Sequence, residues 1–226
     1  MHAERSLDPN RSRARAIITI ESVPSRDVWD ELWDLYVEAF EPLQELALLN
    51  HLYPRAAFED LLADPRVTKL IAWIDARPVG LAMITNTLEL VPQISPPFLR
   101  VRYPEESARG AVFFGIMILV SDSQRRSAVF ARLVAGMAQI TAEASGVVVF
   151  DICRHNMESM ELDRQIGSFT RWFPGSTFDQ VDEQKYFAAK IPARANSGLP
   201  VSPLVDLDAD DLPRQTRRTL TRVPIN

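Results

Sequence analysis

Two apolar runs, AVFFGIMILV (111–120) and GVVVFDIC (146–153), constrain this chain more than any other feature. Each has the length of a strand and is rich in β-branched or aromatic residues. Neither shows the polar alternation of a half-exposed strand, so both suit strands buried on two faces. Between them, from about 123 to 144, Val129, Leu133, Ala135, Met137 and Ile140 fall on the apolar side of a helical repeat. Strands of this kind need helices packed over them, which implies an α/β protein with one central mixed sheet flanked by helices.

The remaining segments fit that plan. AIITIESV (16–23) reads as a first strand, and Trp29, Leu32, Trp33, Tyr36, Val37 and Phe40 share one face of a helix. Ser25 is placed to cap that helix and Pro42 to end it. Leu43, Leu46, Leu49 and Leu52 mark a second helical stretch, and Pro54 opens a third with Phe58, Leu61 and Leu62. Residues 67–89 read as a β-hairpin joined by Asp75-Ala76-Arg77-Pro78. The segment 91–104, with Pro92, Pro96, Pro97 and Pro104, reads as a long loop, either a lid or a partner surface presenting Phe98, Tyr103, Arg100 and Arg102. NMESMELDRQIG (156–167) reads as a helix ended by Gly167. A strand pair is expected beyond it, with SFTRWF and STFDQVDEQKYFAAKI joined at Pro174-Gly175. The expected division is a disordered arm over 1–15, a folded domain over 16–192, and a tail over 193–226 in which DLDADD precedes RQTRRTLTR.

A net charge of −5 provides no positive field for a nucleic-acid backbone, so nucleic acid is not the expected partner. No apolar run approaches the roughly 20 residues that span a bilayer. The single cysteine, Cys153, forms no internal disulfide, and a reducing cytoplasm is the expected compartment. Cys153 and His155 share a face if the strand extends that far, without a third residue to orient them. His2, His51 and His155 lack metal-ligand spacing, and no metal is expected.

Between the two buried strands lies VSDSQRRSAVFARLV (120–134), and with the element order it resembles the GNAT superfamily of acyl-CoA-dependent N-acyltransferases. That family places V-x-x-x-x-[RQ]-x-x-G-x-[GA] between its fourth strand and third helix. Here Val120 ends the strand, Arg125 takes the Arg/Gln position, and Ala128 and Phe130 stand where small residues are usual. IGSF (166–169) is similar to the family's LGF with one residue inserted, and Asn156 follows the fifth strand as the family's asparagine does. The resemblance covers residues 16–191 and implies that Leu119, Val120, Arg125, Arg126, Ser127, Ala128, Val129, Phe130 and Asn156 hold the cofactor. The physical basis is general: a helix N-terminus offers unpaired N–H groups to a pyrophosphate, and arginine adds paired donors. Phe130 puts a large side chain where the backbone would approach the phosphates.

The chemistry implied is attack by an amine on a thioester, with a base for the amine and an acid for the departing thiolate. AVFFGIMILV contains no carboxylate, so the family's base position on that strand is empty. Asp163 stands where the family often has a tyrosine. Glu38 and Glu41 lie where it builds the acceptor wall. Asp163 and Glu38 are therefore the catalytic candidates. The expected function is transfer of an acyl group, acetyl in the first instance, to an amine of a small molecule or protein. The donor would be acetyl-CoA or another acyl-CoA, or instead an acyl carrier protein. The alternative is a non-catalytic module of the same fold that binds a ligand or a protein. A third reading is an unrelated α/β interaction protein. A protein partner would use 91–104 or the C-terminal tail, and the reading leaves room for a homodimer.

Overall fold

The computed structural model describes residues 16–48, 52–125 and 127–190. Five strands form one sheet in the order β1-β2-β3-β4-β5: β1 (Ile17–Glu21), β2 (Val67–Ile74), β3 (Arg77–Thr85), β4 (Val112–Val120) and β5 (Val147–Val149). The first three pairings are antiparallel and the last is parallel. Asp75 and Ala76, at φ 49° and 62°, close the β2–β3 hairpin in the left-handed geometry that matches strand twist.

Side-chain alternation assigns each face of the sheet its cover. Val67, Ile71, Leu81, Met83, Met117 and Leu119 face α1 (Trp29–Phe40) and α3 (Arg55–Ala63), which contribute Trp29, Leu32, Leu35, Tyr36, Phe58 and Leu62. A four-residue helix, α2 (Leu43–Leu46), lies between α1 and α3 in the chain. Leu70, Ala72, Ala82 and Ile84 point the other way, onto Val129, Leu133 and Met137 of α6 (Val129–Glu143). A Cβ on Gly136 would lie 2.5 Å from Leu70 Cδ2, so glycine lets α6 settle onto β2. The result is the α/β mixed sheet flanked by helices that the sequence implies.

The 91–104 segment is helical where a loop was expected. α4 (Pro96–Arg102) and α5 (Pro104–Ala108) each open on proline, whose fixed φ and missing N–H suit the first helical turn. Leu99 and Val91 anchor the segment over Val112 and Phe114 in a third core group. Phe98 and Val101 stay exposed.

Other expectations require correction after β4. α6 begins at Val129, preceded by a 3-10 turn over Asp122–Gln124. β5 is three residues long, so Cys153 is the N-cap of α7 (Arg154–Met160) and His155 lies within that helix; they do not share a strand face. Glu161, at φ 46°, separates α7 from α8 (Leu162–Gly167). Gly167 has φ −56° and is the last residue of α8, not a left-handed terminator. The expected terminal strand pair is absent from the described residues: Ser168–Trp172 is a 3-10 turn and 173–190 carry no strand. Phe178 instead turns its ring onto Phe150, with centroids 6.2 Å apart, and lies against Gly167. Leu49, the arm 1–15, the tail 193–226 and the histidines at 2 and 51 lie outside the described residues. Residues up to Asp179 form one compact unit and those from Gln180 a second. Among the described residues, no helix is long and apolar enough to cross a membrane.

One buried charge fastens the first unit. Lys69 on β2 is fully buried, and its Nζ donates to the carbonyls of Ser22 and Asp64, each at 2.7 Å. This joins the end of β1 to the turn before β2. Burial pushes its ammonium down to about 8, with the Asp64 carboxylate opposing the change. An unfolded lysine holds its proton to about 10.4, so between pH 8 and 10 the unfolded chain binds more protons and stability rises with pH. That contribution is lost as pH falls through the folded value. Thermal denaturation across pH 8–10 should show a rising midpoint in the natural chain and a flatter profile in Lys69→Met; the same slope in both would contradict the assignment.

Candidate functional site

The site begins with a register fault in β4. Met83 pairs with Met117, but Ile84 pairs with Gly115, leaving Ile116 opposite no residue of β3. This is a β-bulge, which bends a strand and increases its twist. On its other side β4 pairs with β5 only over Val112–Phe114, opposite Val147–Val149. Gly146 sets that contact: its amide donates to Thr141 O at 2.9 Å, and a Cβ there would lie 2.2 Å from Ala111 O. Past Phe114 the strands no longer pair, and, among the described residues, 115–120 present one edge of backbone without a strand partner. Ile116 packs against both the α1 core and the core beneath α4, at the point of parting.

Leu119 is buried toward α1, Val120 is half-buried, and the chain then enters the loop singled out in the sequence. Ser121 N–H donates to Val79 O at 2.9 Å, tying the loop to β3. Asp122 N–H donates to Glu38 Oε1 at 2.8 Å. The Arg125 guanidinium meets the Asp122 carboxylate at 2.6 Å, and both side chains are exposed. Val129 N–H donates to Ser127 Oγ at 3.2 Å. Ala128 adopts φ −79°, ψ 7°, and its carbonyl accepts from Arg132 N–H at 3.0 Å. Phe130 is half-buried on the first turn of α6, whose core positions are taken by Val129 and Leu133. Arg126 lies outside the described residues. Beside the loop is a shallow cavity of about 300 Å³, lined in part by Glu31, Asp34, Glu38, Arg77, Ser121 and Ser123.

Of the expected site residues, the structure brings together Leu119, Val120, Arg125, Ser127, Ala128, Val129 and Phe130 on the strand and loop, with Glu38 beside them. Asn156 is half-buried on α7 and Asp163 half-buried on the first turn of α8. No hydrogen bond or ion pair among the described residues links either to the loop. No group of three or more His, Cys, Asp or Glu among them is placed to hold a metal ion.

Sequence reasoning missed a polar group around Tyr53. Tyr53, from the connection into α3, donates its backbone N–H to the Tyr36 hydroxyl at 2.7 Å. Burial pushes the Tyr36 phenol up to about 12. Burial also raises Tyr53, opposed by a hydrogen bond with the Gln93 side chain and reinforced by the negative charge of Asp151. Tyr53 therefore remains a protonated donor at neutral pH. Asp151 follows β5 by two residues, so the group unites the α1 layer, the segment before α4 and the exit of β5. The available signal was a carboxylate, Asp151, inside the otherwise apolar second run.

No protein-family model matches the chain, and no curated protein matches it in sequence. Among solved structures, the chain is similar to the ribosomal-protein-alanine N-acetyltransferase of Brucella melitensis biovar Abortus 2308, at 17% identity over 78% of this chain and 99% of that one, with TM-score 0.45. It is similar to the aminoglycoside 6′-N-acetyltransferase of Acinetobacter haemolyticus, at 20% identity over 78% and 99%, with TM-score 0.46. A third is an aminoglycoside N-acetyltransferase in complex with CoA, at 16% identity over 82% and 100%, with TM-score 0.45.

Tyr36→Phe removes the acceptor of the Tyr53 amide and should lower unfolding stability by about 2 kcal/mol. Urea denaturation checks this, and a loss no larger than that of Tyr53→Phe, which keeps the amide contact, would contradict it.

Proposed function

We propose that the chain transfers an acyl group from a pantetheine-type thioester to a primary amine. The observation carrying this reading is the unpaired edge of β4 over 115–120. A pantetheine arm contains amides, and exposed strand N–H and C=O groups are suited to hydrogen-bond them as an added strand would. The spacing Val120–Arg125–Ala128–Phe130 beyond that edge supports the same reading. Acetyl-CoA is the first donor to consider, and the acceptor is an amine of a small molecule or protein.

In the reaction the amine nitrogen attacks the thioester carbonyl, a C–N bond forms, and the C–S bond breaks with its electron pair leaving on sulfur. Asp151 follows β5 by two residues, and its charge reaches Tyr53. Asp151 receives the proton released by the amine, and Tyr53 supplies a proton to the thiolate. Glu38, with its carboxylate held by the Asp122 amide, and Asp163, in α8, are the other candidates for these roles. The carboxylates around the loop favour a second reading, a binding module without turnover.

Thiol release from acetyl-CoA and S-acetylpantetheine, measured across a panel of primary amines, tests the proposal. Cys153→Ser provides a protein without its own thiol. Amine-dependent release is expected, and Tyr53→Phe should reduce kcat about 100-fold with little change in KM. Donor binding without release on any amine would favour the binding module, and an unchanged kcat in Tyr53→Phe would remove that residue from the mechanism.

A further inference from the structure

Glu38 is an exposed residue of α1, yet its carboxylate reaches across to a backbone amide far along the chain. It accepts from Asp122 N–H at 2.8 Å, at the first residue of the 3-10 turn. A diphosphate in this loop would draw on free backbone amides and on the Arg125 guanidinium. Arg125 is paired with Asp122 at 2.6 Å. The amides of Gln124, Arg125 and Ser127 donate within the turn to Ser121, Asp122 and Gln124 carbonyls, and Val129 N–H is held by Ser127 Oγ. Glu31 and Asp34 add two more carboxylates to the wall of the adjoining cavity, with Arg77 as the cation among its lining residues. In this arrangement the amides of Asp122, Gln124, Arg125, Ser127 and Val129 are engaged, and the carboxylates beside them carry the same sign as a diphosphate, so this part of the loop is poorly suited to one.

We propose that Glu38 is a built-in anion that closes this loop, occupying an amide a phosphate oxygen would otherwise take. The donor is then held through its pantetheine arm and not through its phosphates. Glu38 thereby selects thioesters whose arm reaches the β4 edge without a diphosphate in the loop, whether the arm is carried on a protein or is a free pantetheine thioester. The donor class rests on the acyl-transfer reading; the closure of the loop by Glu38 does not.

Calorimetric titration with inorganic pyrophosphate, CoA and pantetheine separates the two. The proteins compared are the natural chain, Glu38→Ala, Glu38→Gln and, as a control for net charge, Glu41→Gln. In the natural chain CoA should bind no more than about threefold tighter than pantetheine, and Glu38→Ala should gain at least about tenfold for CoA and pyrophosphate. Glu38→Gln keeps an acceptor oxygen but loses the charge, so its gain should be smaller; pantetheine affinity and the Glu41→Gln protein should not change. Two results overturn the proposal: CoA binding about 30-fold or more tighter than pantetheine in the natural chain, or no gain for pyrophosphate in Glu38→Ala, undetectable binding in both proteins included. Failure of pantetheine to bind any of the proteins would defeat the acyl-transfer reading, while the pyrophosphate comparison would still decide whether Glu38 closes the loop. If pantetheine does bind, S-acetylpantetheine and an acylated carrier protein then distinguish the free arm from the protein-borne one by their relative rates of thiol release.

Discussion

The unmatched residue Ile116 governs the geometry of this protein. One extra residue in β4 shifts the pairing with β3 between Met83 and Ile84, next to the point where the pairing with β5 ends. A sheet buried by helices on both faces has little freedom to expose backbone, since unpaired N–H and C=O groups are costly away from water. Here, among the described residues, one edge of β4 lacks a strand partner past Phe114 while the pairing with β3 continues on the other. The helices keep their places because their contacts lie on side-chain faces: α1 on Met117 and Leu119, α6 on Phe113 and its neighbours.

The bulge also divides the residues of β4 between two core groups. Before Ile116, Val112 and Phe114 face the segment around α4; after it, Met117 and Leu119 face α1. Ile116 packs on both groups, and Tyr53, which packs on the first, interacts with Gln93 and with the charge of Asp151 after β5. At the far end of the strand the surroundings are different. In the loop after Val120, Asp122 N–H donates to Glu38, Arg125 pairs with Asp122, and Val129 N–H donates to Ser127.

Much of this architecture was legible in the sequence because it depends on local periodicity. The β2–β3 hairpin, β4, α1 and the apolar side of α6 all follow from spacing that survives without knowledge of partners. Pro96 and Pro104 were harder to interpret, because proline breaks a helix internally yet begins one readily, and the deciding factor was the packing of Leu99. The run 146–153 looked like a full strand, but only Val147–Val149 find partners on β4. Glu38 was singled out for its position on α1; its contact with the Asp122 amide could not be read, because it joins segments far apart in sequence. Tyr53 and Asp151 were invisible as a pair for the same reason. Their association depends on how α1, the α4 segment and β5 pack, which no local pattern encodes.

Amide hydrogen exchange along β4, with and without saturating S-acetylpantetheine, tests the central claim most directly. Among the described residues β1, over 17–21, is the other edge of the sheet and serves as an internal comparison. If 115–120 is the thioester edge, the outward-facing amides of that stretch slow on addition of the thioester while those of β1 do not. Unchanged exchange at 115–120, or protection confined to β1, would contradict the account.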